Sequence, residues 1–266
     1  MIKRGYADTS NGQIHYRYSM RSGYRTLVLL HRTASSSIEF HSLMELLQEK
    51  YSLIAFDTPG FGQSFQPTCE PTMDYYAKMI LEALDQLNIS EFDVIGDHTG
   101  AFIACVMSVL APNRTNSLMM LAPPFLSVAE RQEWIKNEPT PMRVESDGSH
   151  LIAAWDRAKE SGPKDLALCH QETIDTLLAE RWHQAHKAVF GQDFAQFLEQ
   201  VRCPILMLCG NNDPLFPYFS AAIQARPDAM FATLNGGFYL MDEAPVRISE
   251  EIVKFLNGRS STASLL

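Results

Sequence analysis

The sequence predicts an α/β fold: a mostly parallel sheet covered by helices on both faces. Three observations point there. Strand-length apolar runs alternate with helix-length amphipathic segments, the pattern of parallel strands joined by crossover helices. One of those runs passes directly into a Gly-x-x-x-Gly turn that opens a helix. The length, 266 residues with 46% hydrophobic and 20% charged side chains, suits one large globular domain with an insertion.

The elements follow in order. Residues 3–8 and 13–18 flank Asn11-Gly12, a pair that supplies the positive φ of a tight hairpin turn, so the chain opens with a β-hairpin. Strand and helix then alternate: 26–30 and 39–50, 52–56 and 73–87, 92–95 and 100–110. A further strand, 117–121, ends at Ala122-Pro123-Pro124. From there to about residue 202 no strand-like run occurs, but helical patterns appear at 128–137, 151–160 and 165–190. The sheet rhythm returns at 205–209, passes through a connecting segment to 231–234, and closes with a helix over 243–256. The division is therefore a core of 1–123 and 203–258, an inserted helical cap of 124–202, and a flexible tail of 259–266.

Lys plus Arg total 22 against 31 Asp plus Glu, a net charge of −9, which repels phosphate backbones and anionic lipid. A nucleic-acid partner is excluded on that ground. No apolar run approaches the roughly 20 residues of a membrane span, and Lys3 and Arg4 lead into polar residues rather than a signal peptide's apolar stretch. The five cysteines, Cys69, Cys105, Cys169, Cys203 and Cys209, are widely spaced without a C-x-x-C pair, which predicts a reduced, cytoplasmic protein without structural zinc.

The most informative segment is Gly96-Asp97-His98-Thr99-Gly100, where small residues two before and two after the centre permit a sharp strand-to-helix turn that lifts the central side chain above the sheet. Here the chain resembles the α/β-hydrolase superfamily and its nucleophile elbow, G-x-S-x-G. The resemblance spans nearly the whole chain. His31 stands where the family has its His-Gly oxyanion loop, and Asp57-Thr58-Pro59-Gly60-Phe61-Gly62-Gln63-Ser64 matches its D-x-x-G-x-G-x-S loop. Gly210-Asn211-Asn212-Asp213-Pro214 matches the acid loop, and Gly236-Gly237-Phe238 matches the G-H-F segment before the last helix.

Two departures define the site. His98 occupies the elbow where the family has Ser, Cys or Asp, and Gly237 replaces the family's catalytic histidine, while Asp213 is retained. An imidazole at 98 extends farther than a serine hydroxyl, and a bare Gly237 leaves room for it to lean toward Asp213. Coupled to that carboxylate, His98 is expected to turn its other ring nitrogen to the pocket as a general base near neutral pH. Asp97, just before the elbow, could perturb its neighbour, but a residue in that position is expected to point away. The resemblance places the oxyanion-hole amides at Thr33 and Thr99, and puts His31 and Arg32 beside the substrate, with Arg32 either pairing with a substrate carboxylate or bracing its own loop.

Glu180, His183 and His186 recur on one helix face, but a lone Glu-x-x-His is better explained as an exposed polar stripe than as a metal site. His150 or His170 could supply a replacement histidine from the cap, and Trp134, Trp155 and Trp182 are expected to anchor its packing. The expected function is hydrolysis of a small ester, lactone or related carbonyl compound without cofactor or metal. Its rivals are a lyase or isomerase that uses His98 to move a proton, and a noncatalytic small-molecule binder. A homodimer is left open.

Overall fold

The computed structural model describes residues 1–137, 143–161 and 165–260. Among them eight strands form one sheet in the order β1-β2-β4-β3-β5-β6-β7-β8. The hairpin strands β1 (Lys3–Thr9) and β2 (Gly12–Ser19) pair antiparallel, and β2 runs antiparallel to β4 (Ser52–Phe56). The rest, β3 (Thr26–Leu30), β5 (Phe92–Asp97), β6 (Thr115–Leu121), β7 (Ile205–Gly210) and β8 (Met230–Leu234), continue from β4 in parallel.

Side chains alternate across this sheet with the period of two that a strand imposes. Val28, Leu30, Val94, Leu118 and Met120 point into one apolar cluster, and Leu27, Leu29, Ile95, Met119 and Leu121 into the other. Covering the first face are α2 (Met73–Gln86) and α3 (Thr99–Leu110). Helix α2 buries Met73, Tyr76, Ala77, Ile80, Ala83 and Leu84, a 3.6-residue stripe, and Thr72 caps its start by accepting from the Tyr75 amide at 3.1 Å. Helix α3 is buried on all sides from Thr99 to Ser108, which fits its place between the sheet and the helices above it. The opposite face carries α1 (His41–Leu47), preceded by a 3-10 turn, and α11 (Pro245–Ser260), with the short α10 (Leu240–Glu243) alongside.

Between β6 and β7 run α4 (Val128–Lys136), α5 (Ser149–Ser161), α6 (Leu166–Leu178), α7 (Trp182–Gly191) and α8 (Phe194–Leu198). The single helical pattern read over 165–190 is two helices. Its break falls at Ala179–Arg181, where Ala179 leaves the helical region. The segment after β7, read as a mere connection, holds α9 (Phe216–Ala225), begun by Pro217 in its first turn. None of the five cysteines is in a disulfide, and no helix among the described residues is long and apolar enough to cross a membrane. Of the tail, residues 261–266 lie outside the described residues.

Candidate active site

The elbow is built by its glycines. His98 sits between β5 and α3 at φ 48° and ψ −106°, a left-handed conformation that costs an L-residue roughly 1–2 kcal/mol. A Cβ on Gly96 would overlap the backbone of Gly100, and one on Gly100 would overlap the carbonyl of Leu30. Only a glycine pair lets strand, turn and helix approach this closely. The amide of His98 donates to the Leu121 carbonyl at 3.0 Å, which ties the turn to β6.

Both nitrogens of the His98 ring are taken. Nε2 lies 3.0 Å from Asp213 Oδ2 and 3.3 Å from Oδ1, as the loss of a side chain at Gly237 predicts. Nδ1 lies 2.7 Å from Asp97 Oδ1. This second contact corrects the sequence reading, in which Asp97 pointed away and the second nitrogen faced the pocket. The positive φ at His98 folds the ring back over its neighbour's carboxylate. Burial alone would pull the imidazole down, but the charges of Asp97 and Asp213 overrule it and carry its pKa to about 10. Against its own burial, Asp213 is held below the usual carboxylate range by the His98 charge and by the Leu215 amide, which donates to Oδ1 at 2.8 Å. At neutral pH the elbow therefore carries an imidazolium clamped between two carboxylates.

The remaining predicted residues divide. Thr33 and Thr99 meet: Thr33 Oγ1 donates to Thr99 Oγ1 at 2.9 Å. The Thr99 amide opens α3, among the first four N–H groups that have no partner within a helix. His31 instead braces loops, its Nδ1–H donating to the Arg32 carbonyl at 2.7 Å while Nε2 accepts from the Thr58 amide at 3.0 Å. Burial keeps it neutral. Asp57 is the brace beneath: it accepts from His15 and from the amides of Ser37 and Gln63, and these bonds hold it, despite burial, at about 2.

Arg32 is 1% exposed. Where the sequence left it between a substrate carboxylate and its own loop, the structure commits its guanidinium to protein carboxylates: Glu39 at 2.8 Å, Glu172 of α6 at 3.1 Å and Asp242 of α10 at 3.7 Å. It also packs over the rings of Phe238 and Tyr239, at 5.1 and 4.7 Å from their centroids. A free arginine so deep in the protein would be too costly to keep charged, so three acids around it are a physical requirement.

A cavity of about 630 Å³ lies under the inserted helices, lined in part by Thr33, Trp134, Trp182, Pro214, Phe238 and Tyr239, a size that suits a small organic ligand. His186, read from the sequence as part of an exposed polar stripe, also lines it and packs against Trp182 and Phe190. His98 itself does not line this space; Phe238, which does, packs with its ring centroid 4.7 Å from the imidazole. The cap histidines His150 and His170 do not border the cavity: His150 accepts from the Glu145 amide at 3.1 Å, and His170 is exposed. No group of three or more metal-ligating side chains occurs among the described residues.

Residues 25–245 match the model of the alpha/beta hydrolase fold family. The chain belongs to that family. It is 30% identical to an uncharacterized hydrolase of Bacillus subtilis, over 96% of this chain and 97% of that protein. A poly(3-hydroxyalkanoate) depolymerase of Ectopseudomonas oleovorans is 24% identical over 93% of this chain and 90% of its own. Among solved structures, a hydrolase from Pseudomonas aeruginosa superimposes with a TM-score of 0.79 at 18% identity, covering 96% of this chain and 98% of its own.

Proposed function

We propose that this chain hydrolyses a small ester, lactone or related carbonyl compound without a cofactor and without an acyl-enzyme, in the cavity next to the elbow that holds His98 and Asp213. The observation that carries this reading is the Thr33–Thr99 contact at 2.9 Å. It brings together the two residues whose amides the family resemblance assigns to an oxyanion hole, with Thr33 on the cavity wall; backbone N–H groups so placed would stabilise the developing charge of a tetrahedral intermediate. The hydrolase names of the relatives support it.

The state of His98 decides how the water is activated. With a pKa of about 10, roughly one imidazole in 10³ is neutral at pH 7, a penalty of about 4 kcal/mol on base catalysis. Enzymes lower barriers by roughly 8–23 kcal/mol, so the penalty slows the reaction without abolishing it. The rate then climbs with pH until His98 has shed its proton.

A second reading, a noncatalytic binder, is favoured by the occupation of both His98 nitrogens, which leaves neither free to take a proton from water. One experiment separates the two: assay short acyl esters and lactones from pH 7 to 10.5 with the wild type and His98→Ala. The hydrolytic reading expects turnover that rises about tenfold per pH unit and disappears in His98→Ala. Saturable ligand binding with no turnover above His98→Ala at any pH would replace it with the binder.

A further inference from the structure

The cavity under the inserted helices has a charged element among its aromatic walls. Its floor comes from the core, with Thr33 in the loop after β3 and Phe238 and Tyr239 after β8. Its roof comes from the inserted helices, with Trp134 of α4, Arg157 of α5 and Trp182 of α7. Arg157 is the one arginine or lysine among the described residues that line the space. Its guanidinium carbon stands 4.7 Å from the centroid of the Trp182 ring. Such a stack uses a face of the planar cation, whereas its five N–H groups lie in the plane and point outward from the edge. A stacked guanidinium is therefore held in position by its face and binds through its edge, and a planar carboxylate matches that edge in paired bonds.

The acids on the same walls do not reverse this charge. Glu172 is paired with Arg32 at 3.1 Å, and Glu133 stands exposed on α4, where water and salt screen it. Nor do the rings make a cage for an ammonium group, which needs the negative potential of open π faces. Arg157 covers a face of Trp182, and Arg32 lies 5.1 and 4.7 Å from the centroids of Phe238 and Tyr239. A guanidinium on one face weakens the attraction that the other face offers a second cation. What these walls favour is a flat, apolar body. We propose that the cavity takes an aromatic carboxylate, whose ring packs among the aromatic walls and whose carboxylate pairs with the edge of Arg157. Resting on the hydrolytic reading, the substrate is then an aromatic ester or lactone that also carries a free carboxylate. Arg157 on the roof anchors that anion and so selects which carbonyl is presented to the floor at Thr33.

Equilibrium binding tests this without turnover, so its failure and the failure of hydrolysis are separate results. Three probes share a skeleton and differ in charge: 3-phenylpropionate, 3-phenylpropionamide and 3-phenylpropylamine. Each is titrated at pH 7 into the wild type and Arg157→Gln by calorimetry and tryptophan fluorescence. The wild type is expected to bind the carboxylate at least about tenfold more tightly than the amide, the scale of one charge-assisted hydrogen bond, and the amine no more tightly than the amide. Arg157→Gln should erase that preference and leave the affinity for the amide within about twofold. Equal affinity for carboxylate and amide in the wild type overturns the proposal, as do tighter binding of the amine, no binding of the carboxylate, and a preference that survives in Arg157→Gln. If the glutamine variant does not fold, the nitrogen-15 signal of Arg157 Nε in the wild type decides: it should shift with the carboxylate and not with the amide, and an unmoved signal overturns the proposal. A carboxylate preference without turnover removes only the hydrolytic reading, and turnover without the preference removes only this inference.

Discussion

Asp97 Oδ1 lies 2.7 Å from Nδ1 of His98, closer than either oxygen of Asp213 comes to the opposite nitrogen. The elbow histidine is thus held by its own chain neighbour at least as firmly as by the acid retained from the family pattern. Asp97→Asn and Asp213→Asn are each expected to lower the His98 midpoint from about 10 by at least about one pH unit, because each removes an opposite charge in contact. Nitrogen-15 titration of the ring checks both. An unmoved midpoint in Asp97→Asn means that the 2.7 Å contact does not persist in solution.

Stability should depend on pH through the same groups. The His98 pKa is raised from the ordinary 6.5 to about 10, so its contribution is fully present below about 6.5 and is lost as pH rises through about 10. Asp175 and Asp242, raised chiefly by burial to about 7 and about 6, lose their contributions over a lower window, from about pH 4 up to those values. Asp57, held at about 2, acts in the opposite sense and destabilises only as the pH falls toward that value. Urea midpoints measured from pH 4.5 to 10 should therefore decline throughout, most steeply below about pH 6, where both aspartates contribute, and more gently from 7 to 10, where His98 acts alone. A plateau between pH 7 and 10 contradicts a clamped imidazolium.

Serine-directed organophosphonates should leave the wild type unlabelled, since no activated hydroxyl stands at the elbow. His98→Ser alone lacks a base and should stay unlabelled. The nearest atoms that a Cβ on Gly237 would meet belong to Asn212, at ordinary contact distances of 3.4 Å or more, so a histidine can start from that position. The double variant His98→Ser, Gly237→His is expected to label and to hydrolyse activated esters at least tenfold faster than either single variant. Equal rates in single and double variants mean that another group, such as His186 on the cavity wall, already acts as base.

Arg32→Met removes the one guanidinium among Glu39, Glu172 and Asp242, and should destabilise the fold by about 3–5 kcal/mol, the usual cost of stranding buried charge. Glu172→Gln, on a partner that is partly exposed, should cost less than about 1 kcal/mol. Chemical denaturation measures both. If the two variants are equally mild, the acids around Arg32 are already neutral without it.

Much of this was legible in the sequence, and for definite reasons. Buried parallel strands such as β3 and β4 are short apolar runs bounded by turn residues, and their limits were read to the residue. The elbow could be read because its tight turn demands Gly96 and Gly100. The approach of His98 to Asp213 followed from the missing side chain at Gly237. What escaped depended on direction or on distant partners. Asp97 belongs to β5, and only the positive φ of the next residue turns the imidazole toward it. Glu39 looked like the first residue of an amphipathic helix, and nothing local marks a glutamate whose partner is the buried Arg32. Helix α9 escaped because Pro214 and Pro217 resemble loop punctuation, although a proline in the first turn starts a helix as readily as it ends one.

The overlap that any side chain at Gly96 or Gly100 would suffer makes position 98 a socket whose shape is set entirely by its neighbours. Whatever L-residue is plugged in inherits the same twist and the same cost of roughly 1–2 kcal/mol, so changing the residue neither relaxes the turn nor disturbs the sheet below it. The backbone treats chemistry at this point as interchangeable. A serine, an aspartate or, as here, a charged imidazole can be exchanged without rebuilding the frame, and the surrounding carboxylates then decide what the new occupant becomes.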